Sequence, residues 1–280
     1  MNHRAKAERA GTKRSRRLFT NDMTSFADTA FQPPPEAEAF YIEGLKLLAK
    51  SDIPFLISGT YAVTAYTGIV RPTKDLDIFC KASDYPRILS FFKEHGYEIE
   101  VEDERWIAKI YNDKYFCDII YSCRTSEIAI TDEWFDGAPQ IEIYGTKVRV
   151  IKPTELIWSK IFVQDRYRYD GADIAHVILK QHEAIDWPRL MRYMELHWEV
   201  LLSHLINFRY IYPSDRDVIP RWVMDELTKR MLMHLDMPQS NVKVCRGRLF
   251  SARDYVTDIT EWGYADIIGK GVDERHDPIK

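Results

Sequence analysis

Asp75 and Asp77 are the residues whose type and spacing most directly imply chemistry in this chain. They lie two apart in residues 75–80 (DLDIFC), a run that alternates as a strand does, so both carboxylates project from one face. Asp is disfavoured inside strands, and two carboxylates a few ångströms apart repel unless a cation sits between them. Mg²⁺ held by one or two carboxylates plus substrate phosphates is the common solution. Sixteen positions upstream, Gly59 closes the short apolar run 53–58 and opens a helical one. A glycine there lets backbone approach a ligand closely, and the start of a helix presents N–H groups to an anion. A phosphate site beside a metal site is what phosphoryl or nucleotidyl transfer requires. A third acid, Asp118, stands in the apolar strand 115–121 (YFCDIIY), where a charge needs a partner. If that strand neighbours 75–80, three carboxylates converge on one or two metals. The competing readings are a solvated edge strand for Asp75 and Asp77, and a structural ion pair for Asp118.

The elements that must position these acids follow from pattern. Residues 36–50 have helical spacing, 53–58 read as a strand ending in a tight turn, and 61–66 start a helix. Residues 83–95 read as a helix with Ser83 as its cap and Gly96 as its stop. Strand-like pieces follow at 97–101, 106–111 and 115–121, then a hairpin in which Gly145-Thr146 joins 140–144 to 147–151. After Lys152-Pro153 the texture becomes helical, over 154–163, 170–181, 186–207 and 215–235. The expected organisation is a basic tail (1–35), an α/β body with a small mixed sheet (36–151), a helical region (152–236) and an irregular C-terminal extension packed on the body (237–280).

Charge and composition narrow the function classes. The chain has 280 residues and a net charge of −4, which excludes a uniformly basic, nucleic-acid-coating protein. Residues 1–20 carry +6, leaving −10 on the rest, so the N-terminal stretch reads as a mobile basic tail. The four cysteines form no C-x-x-C pair and the eight histidines no ligand cluster, which fits a reduced, cytoplasmic setting without structural zinc. Residues 53–70 are uncharged, but Pro54, Gly59 and Gly68 make them too turn-prone to span a membrane, and no membrane partner is expected. Residues 263–271 have a superficial P-loop look, yet Gly271 stands where Ser or Thr is needed and no helix pattern follows.

Taken together, Gly59-Thr60, Asp75-x-Asp77 and the later Asp118 resemble the nucleotidyltransferase superfamily with the DNA polymerase β-type palm. Gly59-x-x-Ala62-Val63 and Arg71-Pro72-Thr73-Lys74-Asp75-Leu76-Asp77 are most similar to its abortive-infection and toxin–antitoxin members. The resemblance covers about residues 40–180, through Pro153–Lys160 and Arg166–Asp173. It departs at Thr60, where Gly or Ser is usual. It implies an α/β (α+β) palm with a helical region behind it, and metal-dependent transfer of a nucleotidyl group from an NTP. Asp75 and Asp77 would hold Mg²⁺ (or Mn²⁺), and Asp118 would complete a second metal site and help deprotonate the acceptor hydroxyl. Gly59 and Thr60 would contact phosphates, and Lys160 would approach the triphosphate. The acceptor class — small molecule, RNA end or protein hydroxyl — stays open. The rival readings are a degenerate nucleotide-binding or antitoxin-like regulator and an RNA tail-adding enzyme. The −10 on the remainder of the chain argues against the latter.

Overall fold

The computed structural model describes residues 33–123, 129–251 and 253–267. The basic stretch 1–20 and the end of the glycine-bearing stretch 263–271 lie outside them. The first helix, α1 (Pro35–Lys50), begins with proline at a position where a missing N–H costs nothing, and carries Glu36 and Glu38 in its first turn and Lys50 in its last. Its inner face buries Phe40, Tyr41, Leu45 and Leu48. The chain continues through β1 (Leu56–Ile57), α2 (Gly59–Thr67), β2 (Asp75–Phe79), α3 (Tyr85–Glu94), β3 (Glu98–Asp103), β4 (Ile107–Asn112) and β5 (Tyr115–Ile120). A short α4 (Asp132–Phe135) precedes the hairpin β6 (Gln140–Ile143) and β7 (Thr146–Arg149).

The five-stranded sheet has the order β1-β2-β5-β4-β3. Its only parallel pair is β2 with β5; β1 with β2, β5 with β4 and β4 with β3 run antiparallel. This is the mixed α/β architecture expected from the alternation of strands and helices. Behind it come α5 (Pro153–Lys160), α6 (Gly171–Gln181), α7 (Trp187–Tyr193), α8 (Trp198–Ile211) and α9 (Arg221–Leu235). A small parallel pair, β8 (Val244–Cys245) and β9 (Ala265–Asp266), flanks α10 (Val256–Thr260). One hydrophobic core runs from Phe40 and Leu76 through Trp134 to Leu205 and Val223, passing residue 152 without a break. No helix among the described residues is long and apolar enough to cross a membrane.

Several boundaries differ from the pattern-based expectation, each for a local reason. The expected helix over 186–207 is two helices separated by a tightened turn at Glu195–His197, where the His197 N–H donates to Met194 three residues back. Buried Leu190, Met194, Trp198 and Leu201 keep helical spacing through that turn, so periodicity does not reveal it. The expected helix over 215–235 starts only at Arg221, because Pro220 holds Ile219 extended. Ser83 does not cap α3; Asp84 sits at the N-cap, and its carboxylate pairs with Arg87 at 2.7 Å. The hairpin turns through Tyr144 and Gly145, both with positive φ (48° and 72°), which matches a two-residue type I′ loop and shifts the turn by one residue.

Polar ties across the layers hold α2 in place. The Tyr66 hydroxyl donates to the Ile151 carbonyl at 2.7 Å, and the Gln181 amide donates to the Tyr66 carbonyl at 2.8 Å, all in buried surroundings. Tyr66→Phe strands a buried carbonyl, so urea unfolding is expected to show a loss of about 1–3 kcal/mol with an unchanged denaturant slope.

Candidate active site

The sheet register brings the acids together. Asp77 on β2 and Asp118 on β5 are direct partners in the parallel pairing, so their side chains share one face, with Asp75 two residues upstream on that face. Asp118 is buried; Asp75 and Asp77 are half-buried. Burial, then the charges of Asp75 and Asp118, push the Asp77 carboxyl up to about 7. Burial likewise raises Asp118, to about 6, against the opposing pull of Lys109. Asp75 receives a hydrogen bond from the Thr73 hydroxyl at 3.2 Å. Thr73 and Arg71 both lie in the loop before β2.

Gly59 faces this cluster from the neighbouring element. The Ser58 N–H donates to the Asp77 carbonyl at 2.9 Å, which fixes the end of β1 against β2. Gly59 follows with φ +58° as the first residue of α2, and a Cβ built on it would collide with the Asp77 carboxylate. Only glycine meets both demands. No side chain caps α2, so the N–H groups of its first turn, those of Gly59 and Thr60 among them, have no intrahelical acceptor, and Gly59 itself stands against the Asp77 carboxylate.

Lys160, at the last turn of α5, is buried and committed to two acids: Asp170 at 2.8 Å and Asp173 at 3.0 Å. Asp173 also takes Arg71 at 2.5 Å, and Asp170 takes Arg168 at 3.1 Å. Burial opposes ionisation of Asp170, but Lys160 and Arg168 overcome it and hold its carboxyl below the usual range. Three cations and two acids leave this cluster one positive charge in excess. It stands close enough for Lys160 and Arg168 to pull on the ionisation of Asp77.

The structure places a residue at Asp118 that sequence reasoning passed over. Lys109, its register partner on β4, sits 3.1 Å from Asp118 and 2.9 Å from Glu102, with its ammonium 4.0 Å over the Phe116 ring. A lone lysine in the apolar run IAKIY carries the same signal that singled out Asp118, a charge where burial is wanted. Among the described residues no group of three His, Cys, Asp or Glu side chains is arranged to hold a metal. Asp75 and Asp77 nevertheless fit a hard divalent cation. Their oxygens are the right donors, their mutual repulsion calls for a countercharge, and Gly59 leaves the space beside Asp77 free of side chain.

Two outcomes are expected. An acid whose pKa is higher in the folded chain binds protons more tightly there. Without metal, stability should therefore fall as pH rises from about 4 to about 7, and Asp77→Asn should remove most of that slope in thermal melts with chelator present. Lys160→Met leaves Asp170 and Asp173 short of a buried cation and should cost about 3 kcal/mol or more in chemical unfolding, whatever its effect on nucleotide.

Residues 42–181 match the family model described as aminoglycoside-2''-adenylyltransferase. No curated protein sequence matches the chain. Among solved structures, the lincosamide antibiotic adenylyltransferase LnuA in its lincomycin-bound form is similar at 20% identity, over 51% of this chain and 95% of that one, with a TM-score of 0.37. ANT(2'')-Ia in complex with adenylyl-2''-tobramycin is similar at 17% identity, over 63% and 99%, with a TM-score of 0.40. An antigenic nucleotidyltransferase-like protein from Paracoccidioides brasiliensis is similar at 15% identity, over 67% and 93%, with a TM-score of 0.41. The superfamily expected from Gly59, Asp75 and Asp77 is the one found, while the matching model is not that of a toxin–antitoxin member. Since that match spans half of the 280 residues, the chain belongs to the aminoglycoside-2''-adenylyltransferase family and is a nucleotidyltransferase.

Proposed function

We propose that the chain moves a nucleoside monophosphate, AMP if the family's donor is kept, from an NTP to an acceptor hydroxyl and releases pyrophosphate. The observation that carries this reading is the pairing of Asp77 with Asp118 across two parallel strands, with bare Gly59 pressed against the Asp77 carboxylate. Asp75 and Asp77 would hold Mg²⁺ (or Mn²⁺), which when bound supplies positive charge to the triphosphate. The first-turn N–H groups of Gly59 and Thr60 bind phosphate oxygens, and the Thr60 hydroxyl adds a donor. Lys160, Arg168 and Arg71 add a field of one net positive charge near the acids, favouring the leaving phosphates.

Asp118 takes the acceptor's proton. Its carboxyl, raised to about 6, is mostly ionised at neutral pH and basic enough to receive it, and Lys109 steadies its orientation. The acceptor oxygen then bonds to the α-phosphorus while the bond from that phosphorus to the α–β bridging oxygen breaks. The electron pair leaves with pyrophosphate.

The test is Asp77→Asn, which keeps the side chain's size and removes one charge. Label transfer from [α-³²P]ATP with Mg²⁺ to acceptors in a cell extract should fall ~100-fold or more. The metal-free thermal midpoint should hold or rise, because a carboxylate repulsion has been relieved. Undiminished transfer in the variant removes Asp77 from the chemistry.

A further inference from the structure

A cavity of about 280 Å³ opens on the same side of the sheet, one step beyond the acids. Phe79 and Ile120 in its wall follow Asp77 and Asp118 by two residues, so they continue the same face of β2 and β5. Trp106, Trp158, Phe162 and Phe250 complete an aromatic enclosure. The only charged residues among the described lining are Asp165 and Arg168, one of each sign. Arg168 also belongs to the cluster beside Asp77, so the cavity and the acid cluster adjoin. No residue of α2 lines the cavity, which lies away from the phosphate-facing turn at Gly59.

Resting on the nucleotidyltransferase reading above, we infer that this cavity seats the acceptor, and that the acceptor is a small molecule with a flat, uncharged ring carrying the hydroxyl. The volume lies near the lower end of small-molecule sites, about 300–1,000 Å³, too small for a folded macromolecule. Aromatic walls reward ring stacking and apolar burial. A polycationic amino sugar needs several carboxylates for its ammonium groups, and a wall with one acid offset by one base does not provide them. Two of the walls, Leu249 and Phe250, lie beyond the family-matched residues 42–181, so this part of the acceptor site belongs to the chain's own C-terminal segment. That segment is held in place: Arg248 pairs with Asp266 at 2.7 Å, and Asp254 accepts the Arg166 N–H at 3.1 Å.

The experiment uses the full chain with three probes: 2-naphthol as a flat neutral alcohol, kanamycin as a polycation, and Mg·ATP. Titration calorimetry and saturation-transfer NMR should show 2-naphthol binding to the wild type and kanamycin not. Phe250→Ala and Phe162→Ala, both at half-buried positions, should weaken 2-naphthol about tenfold. Ser122→Trp, which fills the cavity instead of emptying it, should abolish 2-naphthol binding. Thermal melts confirm that each variant is folded, and Mg·ATP affinity should stay within twofold of the wild type throughout. Kanamycin binding that is lost in Phe250→Ala would overturn the inference in favour of a charged acceptor. A parallel loss of Mg·ATP affinity would overturn it by making the cavity the nucleobase pocket. Failure of 2-naphthol to bind while Mg·ATP does bind overturns it as well. Failure of the wild type to bind Mg·ATP defeats the nucleotidyltransferase reading itself, and the two failures are thus distinct.

Discussion

Like-charge repulsion on one sheet face organises this molecule. Asp75, Asp77 and Asp118 stand together because β2 and β5 pair in parallel, and among the described residues only Asp118 has a cation within bonding distance, Lys109. A fold optimised for stability alone would place apolar side chains at these positions, as it does at Leu76, Ile78, Cys117 and Ile119 on the other face. The surroundings of the acids are therefore built to tolerate charge. Gly59 withdraws its side chain from Asp77, Thr73 donates to Asp75, and the Lys160 cluster supplies an excess positive charge nearby. The same arrangement that costs stability leaves an electrostatic demand for positive charge, which in the proposed function a divalent cation would supply.

The charge clusters differ in kind. Lys160 with Asp170 and Asp173 is buried and internally satisfied, so it joins α5 to α6 and sets a field without offering a free hand. Arg71 extends that network from the loop before β2 to α6, and through it the position of β2 is coupled to the helical layer. Lys109 does the corresponding work within the sheet, bridging β5 to Glu102 on β3. Two lysines thus act on the acids, Lys160 from α5 and Lys109 from within the sheet.

Much of this was legible in the residues. The alternation in DLDIF, the glycine sixteen positions earlier and the lone Asp in YFCDII are local signals, and the strands formed where those signals stood. The parallel β2–β5 pairing was posed as a condition, because nothing local distinguishes which of the other strand-like segments lies beside β2. The partners of Lys160 were in view as a charged helix start, but whether a lysine faces solvent or two buried acids is decided by packing 10 to 13 residues away. The aromatic cavity was not legible at all. Its walls come from five separate stretches between residues 79 and 250, and none carries a motif. The broken helices at 194–197 and 219–220 divide in the same way: Pro220 announces one break, while the other leaves the apolar spacing untouched.

The parallel pairing also has a consequence for how the molecule comes into being. Antiparallel neighbours such as β3–β4 and β4–β5 are joined by turns of a few residues and can zip locally, whereas β5 must return past α3, β3 and β4 to find β2, some forty residues earlier in the chain. Closing that loop is among the slower, entropically costly steps of folding. A chain emerging from the ribosome holds Asp75 and Asp77 long before it holds Asp118, so the third acid joins last and brings Lys109 with it as its countercharge. The electrostatic penalty of gathering the three acids therefore falls on the same step that joins the two halves of the sheet.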